Sequence, residues 1–327
     1  MKASEVKVSL GAALAARRPV FLWGAPGVGK SQVVAQVAAA RGVNLVDVRA
    51  VLLDPVDLRG LPHLNGDGRA HWAPPDFLPD DGAGILFLDE LNAAPPLVQA
   101  SCYQLVLDRR VGEYRLPDGW SIVGAGNRET DRAVVNRMPS ALANRFIHLQ
   151  FDVDVDEWVS WALGAGIQTE VLAFVRFRPG LLHNFDPAKA EKSFPSPRTW
   201  EYVSDLVKVG LPSSVEFGII AGTLGEGAAA EFVGFLKIFR DLPDIDAILL
   251  NPDAAAVPSE PAALYAVACA LGRRASAHNF GAVVTYSKRM PVEFSVLMVR
   301  DAVRLCPEVC KSRPFQEWAS ANSKVLI

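Results

Sequence analysis

Residues 24–31 read GAPGVGKS and fit the spacing G-x-x-x-x-G-K-[ST] between an apolar run, PVFLW (19–23), and a helical stretch from Lys30 to Ala40. Each residue type has a physical task there. Glycines let the backbone curl until its N–H groups face phosphate oxygens. The start of the following helix favours an anion. Lys30 would reach the β- and γ-phosphates, and Ser31 would ligate Mg²⁺. The candidate nucleotide cradle is therefore Gly24, Ala25, Pro26, Gly27, Val28, Gly29, Lys30 and Ser31, with Gln32 in the first helical turn.

A second signal is ILFLDEL (85–91), four apolar residues that end in two acids, as expected of a buried strand delivering carboxylates at its C-terminal end. Asp89 would hold Mg²⁺ and Glu90 would polarise the attacking water, because phosphoryl transfer needs a positioned nucleophile more than covalent chemistry. Acids also suit a first helical turn, but the phosphate-type loop upstream favours the site. In SIVGAGN (121–127), Asn127 ends an apolar strand where an amide could orient water and sense the γ-phosphate. In ALANRF (141–146), Arg145 ends a short helix just before a strand. It reads either as a cation at a helix C-terminus or as an arginine finger offered to a neighbouring subunit, with Arg137 as the alternative finger. In SPRTW (196–200), Ser196 is a candidate N-cap with Pro197 in the first turn. Arg198 then lies against the helix dipole, unfavourable by roughly 0.3–1 kcal/mol, which points to an anionic partner such as ATP phosphate.

These residues need elements to hold them. Short strands alternate with helical stretches up to about residue 151, which predicts an α/β layered fold with a mainly parallel sheet. Two hairpins interrupt the alternation. LPHLNGDGRAHWAPP (61–75) has a turn-rich centre between two short runs, and RRVGEYRLPDGW (109–120) is the second. In the first, residues 64–69 are expected to contact a partner, Trp72 is expected to pack into the core beside its prolines, and His63 and His71 are surface residues without metal-ligand spacing. Beyond 152 helical patterns dominate. The expected division is 1–151, an α/β nucleotide domain; 152–240, a helical lid; and 241–327, a helical extension of unknown role beginning with the proline- and aspartate-rich connector 242–261.

In the order found, GAPGVGKS, ILFLDEL, GAGN, NRF and SPR resemble the phosphate loop, metal-and-base strand, first sensor, arginine finger and second sensor of AAA+ ATPases. The inserted hairpin followed by WAPPDFLP, with the second hairpin ahead of the first sensor, is similar to the MoxR group. The resemblance covers residues 1–240. It implies an AAA+ P-loop core with a parallel sheet sandwiched by helices, then a helical lid. It also implies ATP and Mg²⁺ as cofactors, hydrolysis of ATP to ADP and phosphate, and a hexameric ring with ATP between subunits. On this resemblance Glu90, Asn127, Arg145 and Arg198 carry catalysis, Ser31 and Asp89 hold the metal, and the hairpin over 61–73 faces the pore or its rim. Such proteins act as chaperone-like remodelling ATPases on protein clients, often with a partner carrying a von Willebrand A domain. Here Arg128 replaces the proline that often follows the sensor asparagine, and 241–327 matches nothing in the pattern.

The chain has 327 residues, half of them apolar and 21% charged, with a formal net charge of −3, so it has ample core material and no electrostatic footprint for nucleic acid. A DNA-acting motor would rest on the arginines of RRVGEYR alone, and a nucleotide switch without turnover has no need of Glu90, Asn127 and Arg145 together. Four cysteines make no disulfide framework; Cys306 and Cys310 lack further zinc ligands. The N-terminal stretch reads as a helix with Val6, Leu10 and Leu14 on one face rather than a signal peptide. No run of about 18 apolar residues predicts a membrane span, and a cytoplasmic protein is expected.

Overall fold

Strand β1 (Val20–Trp23) shows how the sheet is buried: Val20 and Leu22 enter one hydrophobic core, while Phe21 enters another with Trp23 packed beside it. A strand covered on both faces reads as a continuous apolar run. The computed structural model that shows this describes residues 1–64, 66–131, 136, 138–189 and 191–323. It divides into two compact units, Met1–Asp154 with Phe185–Ala190, and Val155–Asn184 with Glu191–Ile327.

The first unit contains α1 (Ala3–Ala15), β1, α2 (Lys30–Arg41), β2 (Asn44–Arg49), α3 (Pro55–Arg59), β3 (Leu61–Leu64), β4 (Ala70–Ala73), β5 (Ala83–Asp89), α4 (Pro96–Asp108), β6 (Arg110–Val111), β7 (Tyr114–Arg115), β8 (Gly119–Gly126), α5 (Ser140–Ala143) and β9 (Ile147–Gln150). Strands β2, β5, β8, β1 and β9 lie side by side in that order, all parallel. Residues of α1 and α2 fill the core on one face of this sheet; residues of α3, α4 and α5 fill the other. The chain leaves β1 for the far edge and returns, so β1 and β8 are neighbours on opposite sides of the order reversal. Ligands of open α/β sheets bind beyond the strand C-termini at such a point.

Both expected hairpins form. In β3–β4 the pairs are Leu61 with Ala73, Pro62 with Trp72, His63 with His71 and Leu64 with Ala70. The expectation that Trp72 packs into the core is corrected: it is only half-buried and belongs to neither core, because β3–β4 is a separate two-stranded sheet outside the five-stranded layer. The core tryptophan of this region is Trp120, whose indole donates to Asp81 O at 2.7 Å. In β6–β7 Arg110 faces Arg115. Asn65 of the hairpin tip and Arg137, the alternative finger, lie outside the described residues.

The second unit is helical: α6 (Val155–Ala165), α7 (Thr169–Phe177), α8 (Pro197–Val209), α9 (Ser213–Leu224), α10 (Glu226–Arg240), α11 (Ile245–Leu250), α12 (Pro261–Arg274), α13 (Phe280–Ser287), α14 (Val292–Leu305) and α15 (Arg313–Ala321). Nearly all of 152–240 and 241–327, expected as a lid and a separate extension, fall in this one unit. The physical reason is α12, which packs on both α7 and α14. Arg176 of α7 makes a buried two-pronged ion pair with Asp301 of α14, one prong at 2.7 Å, and also donates to Cys269 Sγ of α12 at 3.0 Å. Among the described residues no helix is long and apolar enough to cross a membrane.

Candidate nucleotide site

The loop after β1 turns on glycines held at positive φ, Gly27 at 76° and Gly29 at 96°, a region that side-chain-bearing residues rarely enter. Ala25 and Val28 anchor the loop in the core, and Gly24 is buried so close to Phe151 O that a Cβ there would lie 3.1 Å from it. Pro26 is half-buried at the bend and Gln32 is exposed in the first turn of α2. That turn starts with amides that have no intrahelical acceptor and face an anion well.

The ends of β5 and β8 converge on this loop. Ser31 Oγ donates to Asp89 Oδ2 at 2.8 Å, which joins α2 to the end of β5. Lys30 Nζ donates to Asn127 Oδ1 at 2.9 Å, to Gly24 O at 2.7 Å and to Ala25 O at 3.2 Å, which joins it to the end of β8. Glu90 follows Asp89 in the left-handed region, at φ 54°, its amide capped by Asp89 Oδ1 at 2.9 Å. A non-glycine residue held there is costly, and such positions cluster at functional sites. The Glu90 side chain is exposed. Asp47 on β2 has its carboxyl pushed above the ordinary range, first by burial and then by the charge of Asp89.

Sequence reasoning stopped at Glu90 and missed Asn92. Asn92 is 2% exposed and donates to Asn127 O at 2.7 Å, while its own carbonyl accepts from Asn136 N at 2.7 Å. Asn136 Nδ2 donates in turn to Ala94 O at 2.9 Å. The segment after β5, Asn127 after β8 and the segment leading to α5 are thereby stitched together. The one available signal was an uncharged amide amid apolar residues just after the acids. Leu91 N adds a bond to Ala125 O at 3.0 Å.

The proposed outer residues are placed differently. Arg145 is exposed, and its guanidinium has no hydrogen bond or ion pair to a described residue. Arg198 is exposed in the first turn of α8, in the second unit; Ser196 is its N-cap, accepting from Thr199 N at 3.2 Å, as the sequence implied. Arg128, where a proline was the familiar residue, donates to Gln150 Oε1 at 3.2 Å and Phe151 O at 3.1 Å and pairs with Asp152. The two hairpins meet through His71 Nδ1 and Glu113 Oε2, 3.2 Å apart. No group of His, Cys, Asp and Glu among the described residues could hold a metal by itself. Oxygen donors Ser31 and Asp89 do suit a hard divalent cation shared with phosphates and water.

Residues 19–146 match the family model described as AAA domain (dynein-related subfamily). The chain is 35% identical over 179 residues to midasin of Giardia intestinalis, a match that takes in 50% of this chain and 4% of that protein's length. Among solved structures, the RuvB Holliday junction branch migration motor of Thermotoga maritima is 21% identical, covering 82% of this chain and 81% of its own, with a TM-score of 0.41. NtrX of Brucella abortus in complex with ADP is 14% identical, covering 98% and 67%, with a TM-score of 0.42. Likenesses of that size say nothing about what this chain acts on. The family match and the sheet order agree on the α/β unit: its fold is that of an AAA+ P-loop domain.

Proposed function

We propose that this protein is a Mg²⁺-dependent ATPase of the MoxR-like group that assembles into a ring, a hexamer, and remodels or activates a protein client. The observation that carries the enzymatic part is the Ser31–Asp89 hydrogen bond of 2.8 Å beside the Lys30–Asn127 bond of 2.9 Å. It gathers a phosphate-directed cation, a metal ligand pair and a neutral sensor at one point. Mg²⁺ would bind through Ser31 and Asp89 and neutralise developing charge on the phosphates. Glu90 orients and polarises the water, Asn127 fixes its approach, and Lys30 leaves its carbonyl partners for the phosphates. Arg145, exposed and without an ion pair among the described residues, acts on the site of the next subunit, and Arg198 senses nucleotide from the helical unit.

The client surface in this reading is hairpin β3–β4. Leu61 and Leu64 are 66% and 74% exposed there, next to His63 and Arg69. A von Willebrand A domain protein is the partner class that the MoxR resemblance brings.

The test is the particle mass by light scattering, with and without ATP and Mg²⁺, on wild type and Glu90→Gln. Growth toward a hexamer with nucleotide, together with a turnover lost only in the variant, supports the reading. A monomer under every condition, or undiminished hydrolysis in Glu90→Gln, overturns it.

A further inference from the structure

His148, on strand β9, has both ring nitrogens engaged. The Trp23 indole donates to its Nδ1 at 2.8 Å, and its Nε2 lies 2.8 Å from Ala143 O. An indole N–H can only donate. Nδ1 is therefore the bare nitrogen, and Nε2 carries the hydrogen that it donates to Ala143. The two rings also stack, with centroids 5.9 Å apart and planes 24° apart. Phe21 supports the pair from within the core, 4.4 Å from Trp23 and 5.5 Å from Phe146.

The two partners of His148 belong to two parts of the machinery. Trp23 is the last residue of β1, and Gly24, the first residue of the phosphate loop, follows it directly. Its backbone is tied on both sides, with Phe151 N donating to Trp23 O at 2.7 Å and Gly24 N to Gly126 O at 3.3 Å. Ala143 is the last residue of α5, and its carbonyl also accepts from Phe146 N at 3.1 Å. That bond closes the turn on which Asn144 and Arg145 sit. His148 therefore caps the finger-bearing turn and ties it to the strand that feeds the phosphate loop of the same subunit.

We propose that His148 is a positioning residue. It sets the Arg145 turn against Trp23, so that the state of one subunit's own phosphate loop orients the arginine which that subunit offers to its neighbour. This rests on the reading of Arg145 as a finger acting between subunits. A displacement of the Trp23 end of β1 moves the indole, the imidazole follows because both of its nitrogens are held, and the α5 carbonyl moves with it. The bland alternative is that His148 only caps α5, in which case Trp23 is irrelevant to turnover. Spatial linkage alone does not demonstrate coupling; a cycle of substitutions does.

The experiment compares Trp23→Phe, His148→Phe and the double variant. Both substitutions keep an aromatic ring in the stack; Trp23→Phe removes the bond to His148 alone, and His148→Phe removes that bond and the one to Ala143 O. The readouts are kcat and KM for ATP, together with the affinity for a fluorescent ADP analogue, which also reports an intact fold. The expected result is that each single variant lowers kcat roughly 3- to 10-fold, as for a modest misplacement of a transition-state group, with KM and ADP affinity within about two-fold. The double variant is no worse than the poorer single. In an Arg145→Lys background neither substitution lowers kcat further.

Wild-type kcat in Trp23→Phe, a rise in KM without a fall in kcat, losses that multiply in the double variant, or losses that persist in the Arg145→Lys background each overturn the relay. Arg145→Ala, run alone, tests the reading beneath it. Wild-type turnover in Arg145→Ala removes the finger, and the relay with it. Full loss there combined with unaffected His148→Phe rejects the relay and leaves the finger standing.

Discussion

Lys30 Nζ and Asn127 Oδ1 stand 2.9 Å apart, although 97 residues separate them in the chain. The ammonium is held by three oxygens, two of them carbonyls of its own loop. A lysine that serves phosphates must exchange these partners, and each is replaced by a charged oxygen that accepts more strongly. Asn127 loses its cation in the exchange and is then available to the water or the γ-phosphate. Asn127→Ala should therefore retain ATP binding while kcat falls by roughly 10²-fold, the scale of one lost transition-state donor. Lys30→Ala should lose binding itself. Equilibrium nucleotide binding and steady-state turnover separate the two; equal loss of affinity in both would contradict the exchange.

Ser31 and Asp89 share one hydrogen bond, so removing either oxygen disturbs the other. Ser31→Ala should raise the Mg²⁺ concentration needed for half-maximal turnover, and Asp89→Asn should do so more strongly because it also removes a charge. A magnesium titration of the ATPase rate reads both. Glu90→Gln should instead leave the magnesium dependence of ATP binding in place and stop hydrolysis, since its carboxylate is exposed and makes no part of the Ser31–Asp89 bond.

Asn92 offers a sharper test of what holds the site. A Cβ on Gly126 would lie 2.0 Å from Asn92 Oδ1, so Gly126→Ala must push the amide away from Asn127 O. Asn92→Ala removes the same bond by deletion and leaves Asn127 O without its donor, at a cost of about 1–3 kcal/mol. Both substitutions should lower kcat in the same direction with little change in KM. Chemical denaturation should show both destabilised. A turnover defect in one and not the other would separate packing from positioning.

The sequence made the large elements legible because their signals are local. Val20–Trp23 and Ile85–Leu88 are apolar runs too short for helices, and Gly27 and Gly29 announce a loop that only glycine fits. Lys30 and Ser31 were named from the spacing of the glycine loop, and Asp89, Glu90 and Asn127 from their places at strand ends. What could not be read depends on pairings distant in sequence. Nothing near Asn92 tells of Asn127, and nothing near His148 tells of Trp23, 125 residues away. Trp72 was misjudged for a related reason: flanking prolines report local stiffness, not which layer a hairpin joins. The boundary expected at 240 came from a composition shift in the connector, a local signal that carries no trace of the packing of α12 on α7 across it.

The four cysteines divide by burial. Cys102 and Cys269 are buried, and burial pushes their thiols up to about 12 and about 11; Cys306 and Cys310 are partly accessible. At pH 8 an aromatic disulfide reagent should titrate Cys306 and Cys310 in the native protein and reach the other two only on unfolding. The sign of the pH effect follows. Between the ordinary thiol value of 9.0 and the raised native values, the unfolded chain gives up protons that the folded chain keeps. Stability should therefore fall as pH rises through that window. Fast reaction of all four thiols in native buffer would contradict the placement of Cys102 and Cys269.

Arg176 and Asp301 are 9% and 1% exposed and join α7 to α14, with Cys269 of α12 as a third contact. Removing one member of such a pair strands a buried charge. Asp301→Leu should cost about 3–5 kcal/mol, while Arg176→Met together with Asp301→Leu, which strands nothing, should recover most of it. Because α7 lies before residue 240 and α14 after it, the same single substitution should weaken both parts of the helical unit at once. Hydrogen exchange followed by mass spectrometry can follow α7, α10, α12 and α14 separately in Asp301→Leu. Loss of protection in α14 with α7 and α10 unchanged would show that 241–327 folds independently. Joint loss across all four helices is the expected result, since the buried pair joins α7 to α14 and α10 packs on α7 and α12.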